Sequence, residues 1–375
     1  MKTSRKIQDG IGDIITDSEL GIILLSRDDI EKLKKEAENK DLWNLKMVGA
    51  YEAQEISRGE GVTIAIINSG VDSNHPEISD RFGENKGINL VFWYYDNDGN
   101  LVVDEKGLPK VKEDYDPGII NDDNAHGTAI AGIVAGKTIG IAPESHLYVI
   151  KAVDEKGKLF ANSIEKAIKL CIRGREKIDI INLSMGRIEY RRNLEKLCEE
   201  AYKKGTIIVA SAGNYGVGPI FPSAYENVVC VGAVDKEKKH CKFSNIWHTV
   251  DLSAPGKKIF SCRPKLSSEN NYDLAYATST GTSFATPHVT GALALAISYL
   301  KSKGIRYAPT DLIKILKTSC EEINYEEEKI KQEMREHTFD KLEGMTPKKF
   351  IRWMYGAGIL RIDKFLENVI TYYKK

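Results

Sequence analysis

Three short stretches carry side-chain types that acyl-transfer chemistry uses. In "STGTSFATPHVTG", Ser283 opens an apolar helical run, behind Gly281 and Thr282 and ahead of Pro287. A serine at a helix N-terminus lies beside unpaired backbone N–H groups and the positive end of the dipole, which favours a developing oxyanion. An ordinary serine N-cap would look the same in isolation. However, Gly-Thr-Ser-x-Ala-x-Pro fixes enough letters to arise by chance at about one start position in a million at average composition. In "NAHGTAIAGIVAG", His126 stands at the mouth of a helix of small residues. Small residues let such a helix press closely on a sheet and hold the imidazole in place, although alone this could be a helix-capping histidine. In "ASAGN", Asn214 follows an apolar strand. Its amide could donate to a tetrahedral oxyanion, a contribution of roughly 3–4 kcal/mol, or it could simply form a turn.

The elements that must position these groups follow from periodicity. Apolar, β-branched runs alternate with helix-period segments: "HLYVIKAV", "NSIEKAIKLCIRGREK", "DIINLSMG", "NLEKLCEEAYKKG", "TIIVASAGN". Continuous apolar strands separated by amphipathic helices predict an α/β fold, a mostly parallel central sheet with helices on both faces. Right-handed crossovers align the strands' C-terminal ends along one edge, where open α/β sheets carry their sites. Asn68, Ser184 to Gly186 and Ser211 to Asn214 all fall just past such ends. After Cys230 come shorter β-like pieces, "DLSAPG" and "KKIFSCR". The long helix "TSFATPHVTGALALAISYLKSKG" follows, with Gly304 as its expected C-cap, and then a tail of helix candidates.

In this order and spacing the stretches resemble the subtilisin-like serine proteases (subtilases, peptidase S8) of intracellular type. The resemblance spans about residues 43–363 and includes "GIAPESHLYVIKAV", "VVCVGAVD", "KFSN", "DLSAPGKKI" and "YGAGILRID". It implies a subtilisin-like three-layer fold and a serine endopeptidase with Ser283 as nucleophile, His126 as general base and then acid, and Asn214 with the Ser283 backbone N–H as oxyanion hole. It also implies a substrate cleft walled by Ser184, Met185 and Gly186 on one side and by Ser211, Ala212 and Gly213 on the other. An extended peptide would pair along these edges. The preference for the residue before the scissile bond depends on loop residues that set the pocket's depth.

One letter departs from the family. In "IAIINSGVDSNHPEI", Asn68 stands where the family has the triad aspartate. A carboxylate there fixes the histidine tautomer and stabilises the imidazolium. An amide has no charge for the second task and could turn its NH2 toward the ring. An Asp→Asn change at this place in a serine-protease triad costs ~10⁴ in kcat, a magnitude taken from such enzymes and not from this chain. Three readings follow: a substitution introduced to slow turnover or self-cleavage, a naturally slow or selective protease, or a peptide-binding pseudoprotease with a regulatory or scaffolding role. Because Ser283, His126 and Asn214 are all present, attenuated catalysis is the expectation. Asp72, four residues on, is too far along the chain to substitute, and Asp122 and Asp123 read as solvated loop residues.

The 375 residues balance 54 Lys+Arg against 54 Asp+Glu, so charge gives no argument for nucleic acid or an acidic membrane surface. No apolar run reaches membrane-spanning length, and the N-terminus lacks the apolar stretch of a signal peptide. Cys171, Cys198, Cys230, Cys241, Cys262 and Cys320 show no C-x-x-C spacing and read as free thiols of a cytoplasmic protein. Residues 1–42 form an N-terminal extension that could cover the cleft or simply pack, and residues 43–375 form the catalytic domain, with insertions at about 85–122 and 323–352. In the first insertion, Asp96-Asn97-Asp98-Gly99-Asn100 fails the EF-hand pattern, because the glycine is misplaced and no bidentate glutamate follows. No cofactor is required and no metal ligands are assigned. The family resemblance leaves structural calcium open. The second insertion reads as a surface helical elaboration with a solvated charged face. The expected partner is a polypeptide substrate, and oligomeric state is not legible.

Overall fold

A computed structural model describes residues 21–92, 102, 110, 115–157, 159, 162–336 and 344–374. The Asp96–Asn100 stretch lies outside them.

Six apolar runs and one short piece form a seven-stranded sheet. Its strands are β2 (Thr63–Asn68), β3 (Gly87–Asn89), β4 (His146–Lys151), β5 (Ile180–Leu183), β6 (Ile207–Ser211), β7 (Val228–Val234) and β8 (Leu252–Pro255). Their order is β3-β4-β2-β5-β6-β7-β8, and every pairing is parallel. A smaller antiparallel sheet joins β1 (Gly21–Leu24), β10 (Tyr276–Thr280) and β9 (Ile259–Cys262) in the order β1-β10-β9. The helices are α1 (Arg27–Glu38), α2 (Trp43–Met47), α3 (Ala50–Gln54), α4 (His126–Ala135), α5 (Ser163–Arg173), α6 (Arg192–Lys203), α7 (Thr282–Ser302), α8 (Pro309–Thr318), α9 (Glu327–Glu336), α10 (Pro347–Tyr355) and α11 (Ile362–Tyr373).

The alternation of side chains along each strand sorts the sheet's residues into two cores. Ile64 and Ile66 of β2, Ile180 of β5 and Val209 of β6 pack in one cluster with α4, α7 and α11. Their neighbours Ala65, Ile67, Ile181 and Ala210 pack in a second cluster with α5 and α6. Burial on both faces explains why these strands read as unbroken apolar runs. The result is the expected three-layer α/β architecture.

Helix α7 is enclosed over most of its length: Thr282 through Ser298 are all buried. Gly304, just beyond its C-cap Lys303, adopts a left-handed φ of 68°, as a helix-ending glycine does. Helix α4 is buried along its whole length, and its small residues allow close approach. A Cβ on Gly132 would meet Ser261 Oγ at 2.5 Å and Cys262 Sγ at 2.7 Å, so the helix lies directly against β9.

The N-terminal region packs onto the domain. Strand β1 pairs with β10, while Ile30 and Ala37 of α1 enter the larger core. The second insertion differs from a simple solvated elaboration. Phe350, Ile351, Met354 and Tyr355 form a buried stripe on α10 and cluster with Ile330 of α9, Val234 and Ile246. Lys348, Lys349 and Arg352 hide a helical stripe that packs against the C-terminal end of β7.

The Gly291→Ala variant tests the seating of α7. Alanine normally stabilises a helix interior by about 1 kcal/mol relative to glycine. Here the new Cβ would lie 2.4 Å from Ile141 Cβ and 2.6 Å from its Cγ2. Urea unfolding should therefore show a loss of about 1–3 kcal/mol. A gain would mean that α7 does not sit against Ile141.

Candidate active site

Strand β2 ends on Asn68, and the chain then turns sharply through Ser69 and Gly70. Gly70 has φ 108°, and a Cβ there would meet the carbonyl oxygens of Asn121 and Ile120 at 2.4 and 2.5 Å, so only glycine fits. The head of α4 rests on this turn. A Cβ on Gly127 would lie 2.0 Å from Gly70 O, and Gly127 N donates to Ser69 Oγ at 3.0 Å. That contact brings His126 to Asn68, with Nδ1 and Oδ1 2.8 Å apart.

The orientation of the Asn68 amide follows from its neighbour. Ser69 N, which can only donate, lies 2.9 Å from Asn68 Oδ1. The oxygen is therefore on that side, and the same oxygen accepts from His126 Nδ1–H. The ring is held with its proton on Nδ1 and its lone pair on Nε2. The amide does not turn its NH2 to the imidazole. Asn68 Nδ2 is instead buried with no hydrogen-bond partner among the described residues, a state that costs about 1–3 kcal/mol.

Asp122 is not the solvated loop residue its polar surroundings suggest. It is buried, and its Oδ1 accepts from Ser69 Oγ at 2.7 Å, Ala125 N at 3.0 Å and Asn124 N at 3.1 Å. Its Oδ2 accepts from Thr128 N at 2.7 Å and Thr128 Oγ1 at 2.6 Å. This carboxylate staples the start of α4 to the turn after β2. Asp123, by contrast, is exposed and pairs with Lys151. Asp72 is occupied elsewhere, accepting from Lys265 N, Asn74 N and Tyr272 Oη.

Ser283 lies in the first turn of α7, 5% exposed. Its carbonyl accepts from Ser184 Oγ at 2.7 Å, which ties the segment after β5 to the head of α7. His126 is brought alongside: its ring centroid lies 5.1 Å from that of Phe284. Asn214, past β6, is fixed by the same logic as Asn68. Thr282 N and Thr282 Oγ1 both donate to its Oδ1 at 2.9 Å, and Gly213 N donates to Thr282 Oγ1 at 3.2 Å. The amide's NH2 edge is thereby directed along Gly281, with Nδ2 3.3 Å from where a Gly281 Cβ would stand.

The ends of β2, β5 and β6, the head of α4 and the head of α7 thus meet at one place. Ser184, Met185, Gly186, Ser211, Ala212 and Gly213 all lie there, although the Met185 side chain turns into the α5–α6 core and leaves only its backbone for the cleft. Sequence reasoning missed Ser69, Asp122 and the anchoring role of Thr282. The four-residue interval from Asp122 to His126 was the available signal. His288, in the same motif as Ser283, is structural. Its Nδ1 lies 2.9 Å from Phe284 O and its Nε2 2.9 Å from Asn44 Nδ2, and burial pushes its pKa down to about 4, so it stays neutral.

The chain belongs to the subtilase family (Peptidase_S8), which it matches over residues 59–345. It is 32% identical over 262 residues to an intracellular serine protease of Paenibacillus polymyxa, spanning 67% of this chain and 71% of that protein. It is 33% identical over 254 residues to the major intracellular serine protease of Bacillus subtilis (strain 168), spanning 64% and 70% of the two chains. A thermophilic serine proteinase of Bacillus sp. (strain AK1) is 35% identical over 254 residues, 66% of this chain and 55% of that relative's length.

Replacing Asp122 with alanine would strand the donors of Asn124, Ala125 and Thr128. Urea unfolding of Asp122→Ala is expected to show a loss of at least about 2 kcal/mol. An unchanged midpoint would return Asp122 to the surface.

Proposed function

We propose that this chain is a serine endopeptidase working slowly through Ser283, His126 and an amide in place of the triad carboxylate. The observation that supports this reading most directly is the pinned amide of Asn68. It presents oxygen to His126 Nδ1–H and so leaves Nε2 as the basic nitrogen. A chain that only bound peptides would have no use for that tautomer.

In this mechanism an extended polypeptide pairs along Ser184 to Gly186 and passes Ser211 to Gly213. Ser283 Oγ attacks the scissile carbonyl carbon while His126 Nε2 takes the hydroxyl proton. The oxyanion is held by Asn214 Nδ2–H and the Ser283 backbone N–H. The tetrahedral intermediate collapses as His126 passes its proton to the leaving amine, giving the acyl-enzyme. Water, deprotonated by the same nitrogen, then releases the acid. At both proton transfers the imidazolium lacks the adjacent negative charge, which is where rate is lost. The free cysteines and the two relatives named as intracellular support a place of action inside the cell.

A fluorophosphonate probe and the Asn68→Asp variant test the reading together. The probe should label Ser283 in the unaltered chain, and the label should disappear in Ser283→Ala. Peptidase kcat should rise at least about 100-fold in Asn68→Asp. Absence of labelling at high pH and long times, with no hydrolysis by Asn68→Asp, would instead favour a peptide-binding pseudoprotease.

A further inference from the structure

The two walls of the cleft carry glycines where the side chain before the scissile bond would enter. Gly186 lies past β5, and Gly213 lies past β6 immediately before Asn214. Such a pair would ordinarily leave an open slot. Here one side chain from a third segment fills it. A Cβ on Gly186 would lie 2.7 Å from Ile220 Cδ1, and a Cβ on Gly213 would lie 3.2 Å from the same methyl. A single methyl group thus reaches both walls, and Ile220 is 5% exposed.

The segment that carries Ile220 is tied to both sides of the slot. Arg187 N donates to Phe221 O at 2.8 Å and Phe221 N to Arg187 O at 2.6 Å, which binds it to the first wall. On the second side, Asn245 N donates to Gly213 O at 2.9 Å. Asn245 Nδ2 donates to Gly218 O at 2.9 Å, and its Oδ1 accepts from Tyr215 N at 2.7 Å. Ser223 Oγ and Ala224 N both donate to Ile220 O. Swinging the isoleucine out would break several of these bonds, and its β-branched side chain has few rotamers to retreat into.

We propose that Ile220 floors the slot and restricts the residue on the acyl side of the scissile bond to glycine-, alanine- or serine-sized side chains, excluding leucine and aromatic residues. This rests on the protease reading of the site and specifies its substrate class.

Peptide boronic acids, which form a reversible tetrahedral adduct with a nucleophilic serine, test it. Two analogues differing only in alanine or phenylalanine at the terminal residue would be titrated against the unaltered chain and against Asn68→Asp. The alanine analogue should bind at least about tenfold more tightly. Ile220→Gly should improve the phenylalanine analogue at least about tenfold and leave the alanine analogue within about threefold. If Ile220→Gly fails to fold, Ile220→Ala should shift the ratio in the same direction. Tighter binding of the phenylalanine analogue to the unaltered chain, or an unchanged ratio in a folded Ile220 variant, overturns this inference and leaves the protease reading intact. Binding of neither analogue, with no fluorophosphonate labelling of Ser283, overturns both.

Discussion

A single oxygen governs the chemistry proposed for this chain. Asn68 Oδ1 accepts a hydrogen bond from the next residue's backbone and offers its remaining acceptor capacity to His126. A backbone N–H cannot reverse its role, so the amide is locked with its acceptor toward the ring. In the proposed mechanism, of the two services a triad aspartate performs, orienting the tautomer and stabilising the imidazolium, Asn68 keeps the first and lacks the second. A ~10⁴ loss in rate corresponds to about 5.4 kcal/mol of transition-state stabilisation. On the proposed mechanism that is the scale expected for the missing charge, with the surrounding geometry undisturbed.

The fold keeps that oxygen and Ser283 in register through two largely buried helices. Helix α4 is pressed onto the β2 turn where Gly127 leaves no room for a side chain, and Asp122 clamps its first turn from behind. Helix α7 runs through the core, with its head fastened to the ends of β5 and β6 by Ser184 and by the Thr282–Asn214 pair. Since close-packed interiors resist small displacements, the relative placement of His126 and Ser283 is set by the core as a whole. The buried Asn68 NH2 is a discordant group in the arrangement, with no acceptor among the described residues.

Much of this was legible in the sequence, for identifiable reasons. The alternation of apolar strands with amphipathic helices was plain because a parallel sheet buried on both faces leaves no polar positions to blur it. Ser283, His126 and Asn214 stood out because each sits in a string of small residues that only a close-packed site requires. Asp122 was misread because an acidic pair in a polar loop looks like surface. Its burial arises when Thr128 and the Ser69 turn fold back onto it, contacts that no local pattern announces. The α10 stripe was obscured by Lys348 and Lys349 just ahead of Phe350 and by Arg352 within it. Ile220 could not be placed at all, since its importance lies in a loop path that folds it back between Gly213 and the more distant Gly186.

The proposed mechanism depends most directly on the tautomer of His126. Nitrogen-15 NMR of the imidazole in the unaltered chain, above the pH at which the ring protonates, should show a protonated, pyrrole-like Nδ1 and an unprotonated, pyridine-like Nε2. A spectrum with the proton on Nε2 would mean that Asn68 presents its NH2 to the ring, and the orienting role assigned to that amide would be wrong.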